Sequence, residues 1–315
     1  MVIKNKSNLK KIASPLIIMA ILWTAGILLW FITKKIFYLF NFLYIGTSIG
    51  FGISLYVLLP KTKKAIGRRV SQLLIGIYML FFLGFMQFEN MQIEGFFFYL
   101  FLGIFAGAVI HYFVGKIFGP LFFNRGWCSW ACWTVMILDL LPFKKSKGRI
   151  KNLAYLRYLH FVLSLGLVLV LWFIFSYRDT YYGVNELYWL IIGNIFYYII
   201  GIVLAFVLKD NRAFCKYICP ITVFLKPTSK LALIKVRIDN NKCKLCGLCE
   251  KACPMDIKIT EYVKKNTRVL SSECILCNEC INACPEGAID NNIAFDFSPK
   301  EEINFLKKEK KNSKM

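Results

Sequence analysis

Histidine occurs only twice in this chain of 315 residues, and no cysteine lies outside four short motifs that hold all twelve. Nothing is left over for a structural disulfide, so the cysteines read as ligands in a reducing compartment, not as a secreted disulfide framework. Acidic side chains are scarce too: the first 230 positions hold six, against 25 basic ones. No nucleophile, acid-base pair or substrate pocket is visible. A free-standing, substrate-specific enzyme is therefore not the expectation.

What is present in quantity is apolar surface. A composition 57% hydrophobic and 17% aromatic, with mean hydropathy +0.54, belongs to the membrane class. Six apolar runs, roughly 13–33, 36–59, 71–88, 95–117, 154–176 and 187–208, are each about 18 residues or longer, enough to cross a bilayer core as a helix. The first follows Lys4, Lys6, Lys10 and Lys11 but is too long for a signal-peptide core and lacks an A-x-A-like exit, so it is expected to be an uncleaved anchor. Basic residues crowd the N-terminus, KTKKAIGRR, the region around KKSKGRIK and the stretch Lys209 to Lys230, while the intervening loops hold only Lys34, Lys35 and Arg178. This asymmetry predicts a multi-pass protein of the cell (inner, cytoplasmic) membrane with both termini and all cysteine motifs on the cytoplasmic side. It also accounts for most of the net charge of +22, so no nucleic-acid partner is expected.

After LKPTSK the pattern changes. Residues 1–230 form the expected transmembrane domain, and 231–292 a small, charge-balanced soluble domain that opens on the strand-like LALIKVRI. The basic tail 293–315 offers Ser298 as a helix N-cap and Pro299 at the first helical position.

The soluble segment carries CKLCGLCEKACP from Cys243 and, thirty-one positions later, CILCNECINACP from Cys274. Ligands three residues apart let one loop wrap a cubane and present three thiolates, and in the duplicated C-x2-C-x2-C-x3-C-P arrangement the fourth cysteine ligates the other cluster. The expected sets are Cys243, Cys246, Cys249 and Cys284 for cluster 1, and Cys274, Cys277, Cys280 and Cys253 for cluster 2. Zinc, which favours paired C-x2-C units, fits two identical four-cysteine runs badly. The segment resembles bacterial two-cluster ferredoxins, and two adjacent cubanes serve to pass single electrons.

Two C-x3-C pairs remain, Cys128 and Cys132 in GWCSWACW and Cys215 and Cys219 in FCKYICP. On a helical turn the two thiols of each pair would face one way. Both pairs fall at the predicted cytoplasmic edge, where four thiols make a third metal site: an iron-sulfur cluster, zinc or reduced copper. A dithiol redox pair, its thiol pKa lowered by Arg125 or Lys216, and inert buried cysteines are the alternatives. His111 and His160 lie inside apolar runs at similar expected depth, where they would ligate haem, hydrogen-bond a quinol or simply bridge helices. Asp139 and Arg125 read as helix caps or anchors.

The whole pattern resembles the membrane-bound polyferredoxin family, over roughly residues 70 to 290. Its members include the quinol-oxidising membrane iron-sulfur component associated with periplasmic nitrate reductase, the nitrous-oxide-reductase maturation regulator and a copper-handling protein of cytochrome oxidase assembly. In the family both membrane-edge pairs are usually followed by proline; here Pro220 follows Cys219 but Trp133 follows Cys132. The longest expected outer loop, SYRDTYYGVNE, has no room for the regulator's flavin-binding domain.

The expected fold is a polytopic α-helical membrane protein of about six transmembrane helices with a small α+β ferredoxin-like two-cluster 4Fe-4S domain at the C-terminus. The expected function is passage of single electrons between the membrane, through quinol or the third site, and a redox partner protein. Metal or copper reduction for oxidase or reductase maturation, and a cluster-based redox sensor, are the alternatives.

Overall fold

The computed structural model describes residues 6–105, 107–143, 147–178, 183–296 and 301–306. The chain is mostly helical. In order come α1 (Lys6–Thr33), α2 (Ile36–Leu58), α3 (Lys64–Met86), two shorter helices α4 (Ile93–Phe101) and α5 (Gly107–Phe123), then α6 (Leu156–Phe173) and α7 (Val184–Leu208). Among the described residues five helices are long and apolar enough to cross a membrane: α1, α2, α3, α6 and α7. Their outward faces carry exposed Ile17, Phe31, Leu163, Phe173, Ile199 and Val207. Such continuous apolar surface is stable against lipid tails and not against water.

Helix contacts use small residues because lipid supplies no hydrophobic drive between helices. Gly46 and Gly50 of α2, one turn apart, lie under α1, where a Cβ at Gly50 would meet Met19 Cβ at 2.9 Å. Between α2 and α3 the approach is closer still: a Cβ at Gly67 would stand 2.3 Å from the Tyr56 backbone nitrogen.

The fourth apolar run does not form a single span. Helix α4 stops at Phe101, and Gly103 takes φ +70°, the left-handed conformation that ends helices. The chain between α3 and α4 folds back into the bundle: Gln92 lies against Gly193, well inside α7, while Tyr99 at the far end of α4 donates to Glu186 in the first turn of α7 at 3.0 Å. This re-entrant segment buries Glu89, Asn90 and Gln92, and α5 completes the return, with a π-helical stretch at Tyr112–Phe118. Irregular polar backbone at this depth is tolerated because it is enclosed by protein.

The C-terminal unit pairs β1 (Ile234–Ile238) with β2 (Ile289–Ile293), antiparallel with Val236 opposite Asn291, and adds the short helices α8 (Leu248–Ala252), α9 (Ile259–Lys264) and α10 (Glu279–Ala283). Ser298 and Pro299 lie outside the described residues. The following Glu301–Leu306 is extended, not helical: Ile303 bridges Ile257, Phe305 bridges Arg149, and Glu301 accepts from the hydroxyls of Ser271 and Ser272. Residues 301–306 are therefore packed between the C-terminal unit and Arg149, because their carboxylates and backbone find partners there.

Candidate metal centres

The two cassettes fold alike. Leu245 and Gly247 in the first, and Leu276 and Asn278 in the second, have positive φ between 46° and 72°. These left-handed turns bend each loop between its cysteines, after which α8 and α10 carry Cys249 and Cys280 and end at Cys253 and Cys284. Glycine suits such a turn; Asn278 is the next best residue for it.

Cys253, from the end of the first cassette, lines one cavity with Cys274, Cys277 and Cys280 of the second, about 290 Å³ of free space walled by Val236, Met255 and Ile275. The other set is distributed differently: Cys249 and Cys284 are buried, Cys243 is half-buried and Cys246 is exposed. The Ala288 amide donates to Cys284 Sγ at 3.4 Å. Burial pushes the Cys249 and Cys274 thiols up to about 12 and Cys280 well above its ordinary value. Buried thiols of this kind give up their protons to a metal centre that supplies compensating charge. Among the described residues no three of Cys, His, Asp and Glu stand close enough to hold a single metal ion. The donor set is thiol-only, as a cubane held by cysteines requires.

The membrane-edge pairs do not sit on continuous helix. Cys128 lies in the short turn Trp127–Trp130, but Cys132 is extended at the start of Trp133–Leu138; Cys215 lies in Ala213–Tyr217, and Cys219 follows its end. All four nevertheless line one cavity of about 570 Å³, together with Gln92, Lys116, Arg125 and Tyr197. Lys116 is buried there with its ammonium 4.5 Å from the Trp127 ring and 5.8 Å from that of Trp133, and it has no carboxylate partner among the described residues. Nearby cations do act on these thiols, Lys116 on Cys132, Arg212 on Cys215 and Arg125 on Cys219, but burial outweighs them. Burial raises Cys132, Cys215 and Cys219, the last to about 12, and the neighbouring thiols of Cys128 and Cys132 raise Cys219 further. Lys216 is instead held by Asp210 at 2.6 Å and Asp256 at 2.5 Å.

His160 Nδ1 is 3.0 Å from the Ile218 carbonyl oxygen, and His111 packs edge-on to Trp127 with Nε2 buried and without a hydrogen bond. No hydrogen bond or ring contact joins the two histidines among the described residues.

Sequence reasoning missed the ion pairs that join the cassettes to the membrane helices. Glu273, next to Cys274, receives Arg125 at 2.7 Å, Arg157 at 2.9 Å, Lys226 at 2.9 Å and Arg149 at 3.1 Å. Burial alone would raise its carboxyl, but Arg149, Arg125, Arg157 and Lys226 together hold it well below the usual range. Asp139, read as a cap, is bound by Arg212 at 2.7 Å and Arg68 at 3.1 Å. The two cysteine sites also touch through hydrogen bonds to the backbone of the second cassette: the Arg125 amide donates to Cys274 O, Ser129 Oγ to Ile275 O at 2.6 Å and Trp130 Nε1 to Leu276 O at 3.0 Å. The one available signal was arginine and lysine placed just beyond apolar runs.

Comparison with known proteins agrees with this donor chemistry. A 4Fe-4S dicluster domain matches residues 235–285, and a 4Fe-4S binding domain matches twice, over 96–151 and 194–239, each copy holding one membrane-edge pair. The uncharacterized protein MJ0749 of Methanocaldococcus jannaschii is 46% identical over 50 residues, 16% of this chain and 20% of that protein. The ferredoxin-type methylamine utilization protein MauN of Methylobacillus flagellatus is 27% identical over 143 residues, 42% of this chain and half of MauN. The uncharacterized protein MJ0750 of M. jannaschii is 32% identical over 225 residues, 63% of this chain and 86% of that protein. No solved structure matches. With a dicluster domain over residues 235–285 and a likeness that covers 86% of MJ0750, the chain belongs to the iron-sulfur, ferredoxin-type family that includes MJ0750.

Proposed function

We propose that the protein is a membrane-bound electron carrier that passes single electrons between a redox partner protein and the membrane, through two clusters in its C-terminal unit and a third centre at the membrane edge. Bound 4Fe-4S clusters take up and release one electron at a time. The observation that carries this reading is the enclosure of Cys128, Cys132, Cys215 and Cys219 in one cavity whose Cys128 loop is hydrogen-bonded to the Cys274 loop. Cys243, Cys246, Cys249 and Cys284 would hold cluster 1, and Cys253, Cys274, Cys277 and Cys280 cluster 2.

The four membrane-edge donors are all thiols, a set that suits an iron-sulfur centre. Lys116, buried without a carboxylate, supplies charge that four thiolates would neutralise. On the membrane side, Gln92 Nε2 and the Tyr197 hydroxyl line the same cavity, buried and without hydrogen bonds, and would meet the oxygens of a quinol head group. They replace His160, whose Nδ1 is engaged, in that role, and the separated histidines give no support to haem. The basic loops and the cassettes lie on one side of the bundle, which supports a cytoplasmic placement in the cell membrane.

Iron and acid-labile sulfide per chain, measured on anaerobically purified protein, test the third centre. About twelve irons are expected in the wild type, falling to about eight in Cys215→Ser. About eight in both would confine the clusters to the C-terminal unit and return the membrane-edge pairs to thiol or copper chemistry.

A further inference from the structure

The two ligand sets of the C-terminal unit differ in access. Cys274, Cys277 and Cys280 are buried against the membrane-edge loops, whereas the loop of cluster 1 faces outward, with Cys246 exposed and Leu245 and Leu248 at 51% and 41% exposure. Lysines stand around this apolar spot, and they come from both parts of the chain. Lys61 in the α2–α3 loop donates to the Cys284 carbonyl at 3.4 Å, exposed Lys63 follows it without an ion pair among the described residues, and Lys244 pairs with Glu286 at 2.7 Å. Three lysines against one carboxylate leave the rim positive. Two exposed leucines inside a basic rim have the make-up of a protein interface core and its charged border.

We propose that this composite face, Lys61, Lys63, Lys244, Leu245, Cys246 and Leu248, is the docking surface for a small acidic one-electron carrier protein, and that cluster 1 is the point of electron exchange with it. The inference rests on the assignment of Cys243, Cys246, Cys249 and Cys284 to a cluster. One electron moves from reduced carrier to oxidised cluster 1, or the reverse, with no bond made or broken and no proton required. The surface exists only in the intact chain, because Lys61 and Lys63 belong to the membrane domain. Cys253, Cys274, Cys277 and Cys280, whose loop is hydrogen-bonded to the membrane-edge loop, would hold the cluster that takes the electron onward.

The test uses full-length protein in lipid nanodiscs and, as probe, a purified acidic two-cluster ferredoxin. Its dissociation constant is measured first with both proteins oxidised, and its rate of electron transfer second. Lys61→Glu with Lys63→Glu changes no residue of the C-terminal unit and leaves Lys64, Arg68 and Arg69 at the start of α3 to hold topology. The expected result is binding weakened tenfold or more in this variant and in Lys244→Glu, with wild-type binding falling steeply as salt is raised and iron content unchanged. Binding that is insensitive to these changes and to salt overturns the docking face while leaving the cluster assignment intact. Wild-type protein with about eight or more irons that binds no acidic carrier overturns the choice of partner. Wild-type protein without iron overturns the cluster assignment itself, and the docking proposal with it.

Discussion

Glu273 shows how much one residue can decide. Four cations converge on its buried carboxylate, and three of them, Arg125, Arg149 and Arg157, are themselves buried. Desolvating ions is costly unless they are paired, so removing the common partner leaves the cations uncompensated. Glu273→Gln is expected to destabilise the docked C-terminal unit by about 3–5 kcal/mol, seen as a lower thermal unfolding midpoint and faster proteolysis within residues 231–296. Lys226→Met, at the solvent edge of the same cluster, should cost about 1 kcal/mol or less in the same assays. An equal loss in the two variants would show that the cluster does not act as described. None of this was legible in the sequence, because a glutamate beside a cysteine has the same local signature whether it faces water or four guanidinium and ammonium groups.

Among the elements, hydrophobic periodicity and length identified the long helices, since any run of that size has one stable form in lipid. They misjudged the fourth run. Gly103 and Gly107 inside it were the available signal, but the choice between a span and a re-entrant pair depended on whether Glu89, Asn90 and Gln92 could be enclosed, which Gly107 of α5, Tyr99 of α4 and Gly193 of α7 achieve. The turn Trp127–Trp130 is a second case: its C-x3-C spacing allowed a helix, yet the chain breaks after it so that Cys132 reaches the common cavity. Its hold on the cassette is testable. Trp130→Phe keeps a ring edge-on to Tyr56 but leaves the Leu276 carbonyl without its donor. It should cost about 1–3 kcal/mol in thermal stability. A neutral result would mean that water replaces the indole.

At the scale of the molecule, the cassettes, the basic loops and the membrane-edge cysteines meet on one face of the bundle, while the opposite face carries the turn at Gly103 and the first turn of α7. Charge asymmetry across the loops predicts that this face is cytoplasmic. A fluorescent protein fused to the C-terminus should then be fluorescent, and a phosphatase that folds only outside the cytoplasm should be inactive at the same position. The reverse pattern would place the clusters outside and overturn the topology.

The sequence by itself determined the ligand chemistry and the membrane class. Thiolate spacing of two and three residues is a local property of one loop, and a long apolar run has few alternatives in lipid. The tertiary structure decided what lies beside what: that Cys253 shares a cavity with the second cassette, that two distant C-x3-C pairs line another, and that Glu273 is locked among Arg125, Arg149, Arg157 and Lys226. Those outcomes depend on burial and on charge pairing across residues far apart in the chain, and such energies are set only when the helices and the cassettes have packed.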